Sequence, residues 1–271
     1  MKTNLIRTSL ALLLASLTTM TIAQTAPQVI DIPLSRPGDT VNLEISILSA
    51  KIEVIGEDRE DAYFEITAVE GTRKIVTPSG TKSLKTGAYS VQIEENDNHI
   101  EVDADWRANK VNVLARVPRN TNMELSTVND GVIVVNNING KLLLNNVNGP
   151  ITATNINGSV IAESVNEDIT VEFIGVNTDA AMAFSSVNGD LHLGLPANTG
   201  AELHIDSAEG EIISDFEVEV MPSKPVMSRE DSRHGVEVSV ESVIIAKVNG
   251  GGTVIKLKTL NGNINIAKST N

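Results

Sequence analysis

Residues 131–158 read GVIVVNNINGKLLLNNVNGPITATNING, and this stretch decides the fold class. A nine-residue unit repeats in it without slippage, with glycine at positions 131, 140, 149 and 158. Asparagine precedes the last three glycines, and Asn166 continues the series. A short strand followed by a tight turn, repeated in register, predicts a stacked β-structure.

Counting from each glycine separates the repeat into aliphatic and polar columns. The columns two and four places on have the period-two alternation of a strand with one buried face. The column seven places on is also aliphatic, and we expect it to point inward again beyond an Asn-rich corner. The two-place column is Ile133, Leu142, Ile151, Val160 and Ile169, the four-place column is Val135, Leu144, Ala153, Ala162 and Val171, and the seven-place column is Ile138, Val147, Ile156, Val165 and Ile174.

Nine residues cannot enclose a core by themselves, but two such arms, about eighteen residues, can. The repeat therefore predicts an all-β, β-solenoid-like stack of short strands with two arms per coil. Coils of that length would place Asn139 on Asn157 and Asn148 on Asn166. Stacked amides of this kind can hydrogen-bond along the stack.

The rest of the chain is predicted to divide around this repeat. Residues 28–120 alternate apolar and polar positions in short runs, and we expect 24–120 to be an irregular N-terminal β-region that caps the first coil. Residues 121–271 form the predicted repeat region, which loosens beyond Gly175. Within it, residues 221–235 contain two prolines and mixed charges, so a loop excursion is predicted there.

The N-terminus has the features of a signal peptide. Lys2 and Arg7 precede an apolar stretch at 10–17, and Thr21-Ile22-Ala23 ends in a small residue. We expect residues 1–23 to be cleaved, since the apolar run is short for the alternative, an uncleaved anchor. The mature chain would then be exported, to the periplasm or the cell surface and medium, without an integral membrane segment. The absence of cysteine excludes a lipidated cysteine, disulfides and thiolate metal sites.

The chain is strongly acidic, with 35 Asp and Glu against 21 Lys and Arg and a net charge of −14. Removing Lys2 and Arg7 with the signal peptide would make the balance more negative still. This charge argues against nucleic acid as a partner, because affinity for phosphates comes mainly from Lys and Arg. It equally argues against docking on anionic lipid by charge.

Three motifs together resemble a known family. They are the passage at Val117–Val134, the Ser-Val-Asn-Gly-Asp turn at 186–190, and the closing segment that begins at Gly250-Gly251-Gly252. This arrangement resembles the bacterial putative-adhesin family of β-strand-repeat domains of unknown function, over most of residues 40–268. The resemblance implies an exported or envelope-associated stacked β-domain, and it supplies no catalytic residues.

The candidate site with the clearest pattern is acidic. Asp168, Asp190 and Glu211 each follow a repeat glycine or its equivalent, at spacings of 22 and 21 residues. If each spacing is one enlarged coil, the three carboxylates form a column on the outer face, where like charges repel. A hard cation such as Ca²⁺ would relieve that repulsion, and a solvated column with the carboxylates splayed apart is the alternative.

The sequence shows no other motif for catalysis or for metal or phosphate binding. The four histidines show no zinc-binding spacing, and there is no nucleophile-elbow or P-loop motif. The triple glycine at 250–252 is interpreted as a close backbone approach or a bulge. No other cofactor is indicated.

The sequence therefore favours a non-enzymatic exported scaffold that acts in cell-envelope interaction or adhesion. Its partner would be an unidentified envelope protein or glycan. A carbohydrate-active enzyme on acidic polysaccharide is the alternative, because some solenoids cleave such polymers. No Trp or Tyr occurs between 121 and 271 to serve as a sugar-binding platform, so enzymatic activity is the less favoured prediction.

Overall fold

The computed structural model describes residues 27–68, 75–76, 82–83, 91–104, 111–177, 180–222, 226–232, 235–241 and 243–269. Every regular element in these ranges is a β-strand, which confirms the all-β prediction. Within the same ranges, no helix has the length and apolar character needed to cross a membrane. The predicted signal peptide at 1–23 lies outside the described residues.

The strands are short and follow one another closely along the chain. They are β1 (Gln28–Pro33), β2 (Val41–Ile47), β3 (Ala50–Glu57), β4 (Asp61–Ala68), β5 (Ile75–Val76), β6 (Lys82–Ser83), β7 (Val91–Asn96), β8 (His99–Ala104), β9 (Val111–Pro118), β10 (Thr121–Thr127), β11 (Val132–Asn136), β12 (Asn139–Asn146), β13 (Ile151–Ser164), β14 (Ile169–Val176), β15 (Met182–Ser186), β16 (Leu191–Leu195), β17 (Ala201–Glu209), β18 (Ile212–Ser214), β19 (Val218–Met221), β20 (Val226–Ser232), β21 (Gly235–Glu241), β22 (Ile244–Val248), β23 (Thr253–Asn261) and β24 (Ile264–Lys268).

Twenty of these strands form one hydrogen-bonded sheet made of two ladders. The first ladder runs β7-β8-β2-β10-β12-β13-β15-β23-β17-β22-β19, and the second runs β1-β4-β9-β3-β11-β13-β14-β16-β24-β18. The long strand β13 belongs to both, because Ile151–Thr154 pair in the second ladder and Asn157–Ser164 pair in the first. From β9 to β19 the chain alternates between the two ladders.

Strands in the middle of both ladders are parallel and in register. Ile133 pairs with Ile151, and Ile151 pairs in turn with Ile169, at intervals of 18 residues. The next interval is 22 residues, from Ile169 to Leu191, because four extra residues lie in the connection between β14 and β15. Equivalent residues of successive repeats therefore lie side by side.

Among the described residues, the core is one cluster of mostly aliphatic side chains from both ladders, together with Phe64, Phe173, Phe184 and Phe216. All ten residues of the two- and four-place columns are buried, with at most 3% of any of them exposed. The prediction that these columns face the core is confirmed. At about 1.5–3 kcal/mol for each fully buried aliphatic side chain, this cluster is the main source of stability in a chain without disulfides.

The seven-place column does not point inward throughout, and that prediction was wrong for three of its members. Ile138 and Ile156 are fully buried, but Val165 and Ile174 are 37% and 48% exposed and Val147 is half-buried. The reason is that the two kinds of turn between the ladders, one at Asn137 and Asn155 and the other after Asn146 and Ser164, differ in backbone geometry.

At one corner a residue with positive φ, Asn137 at 66° or Asn155 at 56°, interrupts the strand alternation and turns the next residue inward. At the other corner the alternation continues, so that Asn146 and Ser164 are buried and the valine after each faces outward. In β14 a register shift pairs Phe173 with Ile156, and Phe173 occupies the inward position in place of Ile174.

The predicted N-terminal region contributes to the same two ladders. Strand β2 pairs in parallel with β10, with Val41 opposite Thr121, and β3 pairs in parallel with β11. Strands β8 and β9 pair in parallel on the outer side of β2 and β3. The antiparallel strands β1, β4 and β7 lie beyond them at this end.

The segment predicted as a loop excursion at 221–235 contains regular structure. Strands β20 and β21 pair antiparallel in a separate two-stranded sheet, with Met227 opposite Val240. The prolines at 222 and 225 both precede β20, so they do not interrupt its hydrogen bonding. Residues 226–232 and 235–241 thus form a two-stranded antiparallel sheet.

The C-terminal strands do not simply extend the stack. Strand β23 pairs with β15 on one side and β17 on the other, and β24 lies in the same way between β16 and β18. A Cβ atom on Gly252, at the start of this segment, would lie 2.3 Å from the carbonyl oxygen of Gly200. The predicted close backbone approach at the triple glycine is thus confirmed.

Candidate functional site on the outer face of the first ladder

The structure brings two of the three predicted column carboxylates together. Asp168 Oδ1 accepts a hydrogen bond from the backbone N–H of Asp190 at 2.8 Å, and Asp190 Oδ1 accepts one from the N–H of Asn263 at 2.7 Å. The insertion of β24 places Asn263 between Asp190 and Glu211, whose N–H donates to Asn263 Oδ1 at 2.9 Å. Glu211 is therefore separated from the other two carboxylates by one strand.

This column acts as a series of caps for backbone N–H groups at one corner of the stack. In the part of the chain that the structure describes, no group of three His, Cys, Asp or Glu side chains could hold a metal ion. The Asp168–Asp190 pair has a structural use for its carboxylate oxygens that does not need a cation.

Asp190→Ala is expected to lower the free energy of unfolding by about 1 kcal/mol, because it removes the acceptor of the Asn263 N–H. Asp190→Asn keeps an acceptor oxygen there and is expected to cost less. Urea denaturation of the two variants measures the difference. Equal losses would contradict the capping role of this side chain.

Calcium binding by Asp168, Asp190 and Glu211 stays a prediction. If calcium binds there, the wild-type protein is expected to melt at a higher temperature in calcium than in a matched magnesium buffer. Asp190→Asn is expected to abolish that difference, since an amide is a weaker ligand than a carboxylate for a hard cation. Equal wild-type melting in the two ions would remove the cation prediction.

The predicted asparagine stack is present at the same corner. The Asn166 Nδ2 donates to Asn148 Oδ1 at 2.7 Å, and Asn188 Nδ2 donates to Asn166 Oδ1 at 3.0 Å. The stack continues beyond the predicted Asn148–Asn166 pair, because Asn261 Nδ2 donates to Asn188 Oδ1 at 2.8 Å. Asn139 lies opposite Asn157 in the register, as predicted for the second pair. The hydrogen-bonded amides hold successive turns in register, so they are structural side chains.

The most distinctive surface is the outward-facing side of the first ladder, which we name face 1. One row of side chains crosses it from strand to strand, each directly opposite the next in the parallel or antiparallel register. In order, the row is Glu94, Glu101, Glu44, Glu124, Leu143, Ile161, Ala183, Lys256 and His204. It begins with four carboxylates, continues with three apolar side chains and ends with two basic ones.

The acidic part of the row is electrostatically strained. Repulsion from the Asp103 carboxylate, and then a hydrogen bond with it, raise the pKa of Glu101 above its ordinary value. Partial desolvation and repulsion from Glu44 and Glu94 raise the pKa of Glu101 further. Like charges directly opposite on neighbouring strands destabilise a sheet, so this arrangement has a cost within the folded chain.

A groove of about 410 Å³ lies along the centre of face 1. Leu143 and Ile161 contribute to its lining, and Ile161 is 40% exposed. Glu44, Glu124 and Lys141 bring charge to the groove. Ala180 and Ala181, from the connection that lengthens the repeat interval to 22 residues, also line it. The surface therefore combines a small apolar centre with charged margins.

Sequence reasoning missed face 1 because its residues come from segments far apart in the chain. Glu44 and Glu101 lie in the N-terminal region, for which the periodicity predicted no pairing partners, and Lys256 comes from the inserted strand β23. One signal was available within the repeat. Its interval lengthens after Gly175, where the connection that lines the groove begins.

The chain is similar to three solved structures described as adhesins or adhesion proteins. A putative cell adhesion protein from Clostridium sporogenes ATCC 15579 is 12% identical to this chain, with a TM-score of 0.43. The alignment covers 90% of this chain and 100% of that one. Putative adhesins from Bacteroides fragilis NCTC 9343 and Parabacteroides merdae ATCC 43184 are 11% and 10% identical, with TM-scores of 0.36 and 0.27. Each of these two alignments covers 90% of this chain and 97% of the other chain.

The resemblance to adhesins drawn from the sequence is thus matched among solved structures. No family model matches the chain, and no curated protein matches it either. At these identities and TM-scores, the similarities transfer no activity, partner or compartment to this chain.

Proposed function

We propose that this protein is an exported, non-enzymatic β-solenoid-like scaffold that acts in cell-envelope interaction or adhesion, and that face 1 is its contact surface. In this proposal the two ladders are the arms of stacked coils, and the signal peptide at 1–23 directs the chain out of the cytoplasm. The partner is an envelope protein or a glycan.

The row across face 1 is the observation that carries the proposal. Two of its features do not favour the fold, since Glu101 is repelled by Glu44 and Glu94 and Ile161 is left 40% exposed. An exposed apolar centre with a charged margin has the composition of a protein-binding surface. The hydrogen-bonded strands beneath it hold the backbone of these residues in place, so little order has to be gained on binding.

The effect of an Ile161 substitution on binding to cells tests this proposal. Fluorescently labelled chain without residues 1–23 is titrated onto intact cells of the organism that encodes it. Ile161→Asp is expected to reduce saturable binding by about tenfold or more, because a charge at the centre of an interface must be desolvated. Ile174→Asp is the matched control, since Ile174 is 48% exposed on β14, outside face 1.

Equal binding of the wild type and Ile161→Asp would contradict the role of face 1. Equal losses from Ile161→Asp and Ile174→Asp would contradict it too. The same preparations are incubated with envelope and capsular polysaccharides. Turnover of an acidic polysaccharide would replace the scaffold proposal with the carbohydrate-active alternative, whereas binding without turnover supports the scaffold.

A further inference from the structure

The row across face 1 carries charges of opposite sign at its two ends, although Glu202 and Asp206 in the neighbouring rows lie beside its basic end. Glu44 and Glu124 have no Lys or Arg partner among the described residues, and Glu44 has only His99 at 4.0 Å. At the other end Lys256 is exposed, and no ion pair joins it to another described residue. Lys258, two residues further along β23, pairs with Asp206 at 2.8 Å. Lys256 is therefore the lysine on this strand that is available to a carboxylate of another molecule.

These charges are placed symmetrically about the apolar centre. Glu44 lies two strands before Leu143, and Lys256 lies two strands after Ile161. Glu101 lies three strands before Leu143, and His204 lies three strands after Ile161. A two-fold axis parallel to the strands, between β12 and β13, therefore exchanges the acidic and basic halves of the row.

We infer that face 1 binds face 1 of a second copy of this chain, and this inference rests on the proposed role of face 1 as the contact surface. With that axis, Glu44 of each copy faces Lys256 of the other, and Glu101 faces His204, whose Nε2 lies 2.8 Å from Glu202 Oε1 of its own chain. Leu143 of one copy then meets Ile161 of the other at the centre. An interface with the same patch on both sides is the usual form of a two-fold dimer.

One of the two neighbouring rows supports the same orientation, whereas the other row places Asp103 of one copy opposite Asp206 of the second copy, beside Lys258. In the supporting row His99 is opposite Asn42 on β2, and Glu202 lies on β17 at the other end of the ladder. The axis places His99 of one copy opposite Glu202 of the other, since each is three strands from the centre. The alternative axis, along the stacking direction, would place Glu44 opposite Glu44 and is opposed by charge repulsion.

The size of the surface fits a reversible contact. Eight strands about 4.8 Å apart and about five residues of 3.3 Å give roughly 600 Å² for each copy. Specific interfaces bury about 800 Å² for each partner on average, so this one is at the small end. The expected dimer is reversible, with a dissociation constant in the micromolar range, as suits contacts that form and break between surfaces.

Sedimentation equilibrium of the chain without residues 1–23, up to about 300 µM, measures the dissociation constant. About 150 mM salt is used to screen the long-range repulsion between two acidic chains. Glu44→Lys and Lys256→Glu are each expected to weaken the dimer by about tenfold or more, because each contact occurs twice. The double variant, with the two charges exchanged, is expected to return within about threefold of the wild type.

Glu172→Lys is the control, because it makes the same charge change at an exposed position on β14 of the second ladder. A wild-type chain that stays monomeric would overturn the inference, as would a double variant weaker than either single variant. Equal weakening by Glu172→Lys would assign the effect to net charge and would overturn it too. A monomer that still binds cells through Ile161 would leave the proposed function standing, so the two failures are distinguishable.

Discussion

Ile151→Asp is expected to unfold the repeat region, because its carboxylate would lie in the core without a partner. Ile151 is fully buried on β13, between Ile133 and Ile169 on the neighbouring strands. Burial of an unpaired charge together with the loss of the aliphatic side chain costs more than about 4 kcal/mol. Since a domain is stable by only about 5–15 kcal/mol, the far-UV circular dichroism spectrum should lose its strand signal in little or no denaturant.

The control is Lys141→Asp, which introduces the same residue ten positions earlier. Lys141 is exposed on β12, so its replacement is expected to change the free energy of unfolding by about 0.5 kcal/mol or less. Urea denaturation of the two variants gives the comparison. Similar losses from both would show that the aliphatic columns do not define the core.

Removal of residues 253–271 is expected to have the second largest effect. It deletes β23 and β24, which lie between β15 and β17 and between β16 and β18. The buried side chains of Ile255, Leu257, Ile264 and Ile266 would be lost. At about 1.5–3 kcal/mol each, these four contribute on the order of 6–12 kcal/mol.

The truncated chain should therefore unfold locally from β15 onward, and limited proteolysis should cut between residues 187 and 222 long before it cuts the wild type. Removal of residues 269–271 alone is the control, since it leaves β24 complete. Wild-type resistance of the shorter chain to the protease would show that β17 and β18 do not depend on the inserted strands.

Residues 131–171 could be predicted well because one local rule governs them. Each repeat carries its own strand alternation and turn glycine, so the inward positions of Leu142 and Ile151 follow from the sequence alone. The asparagine stack follows from the same spacing. Where backbone geometry overrides the alternation, as at Asn137 and Asn155, the sequence pattern by itself did not indicate which corner would turn inward.

The order of strands in space could not be predicted. Any segment with the same inward pattern can pair in parallel with any other, so the sequence of β23 does not specify β15 and β17 as its neighbours. The same ambiguity hid the pairing of β2 with β8 and β10, which creates the row from Glu101 through Glu44 to Glu124. Face 1 depends on these long-range choices, so it becomes visible only in three dimensions.

Face 1 is one continuous surface built from paired strands far apart in sequence, and engineered cysteine pairs test this pairing. The chain has no cysteine of its own, so any disulfide within it must join the two introduced cysteines. Residues opposite on neighbouring strands fall within the Cα separation of about 4.4–6.8 Å that disulfides need. The test pairs are Asn145→Cys with Glu163→Cys, and Ala183→Cys with Lys256→Cys.

Both pairs are expected to form disulfides on mild oxidation of the folded protein. No disulfide is expected between Asn145→Cys and Thr154→Cys, which lie nine residues apart on different ladders. Cross-linking of that nine-residue pair, or failure of the Ala183–Lys256 pair to cross-link, would contradict this strand pairing.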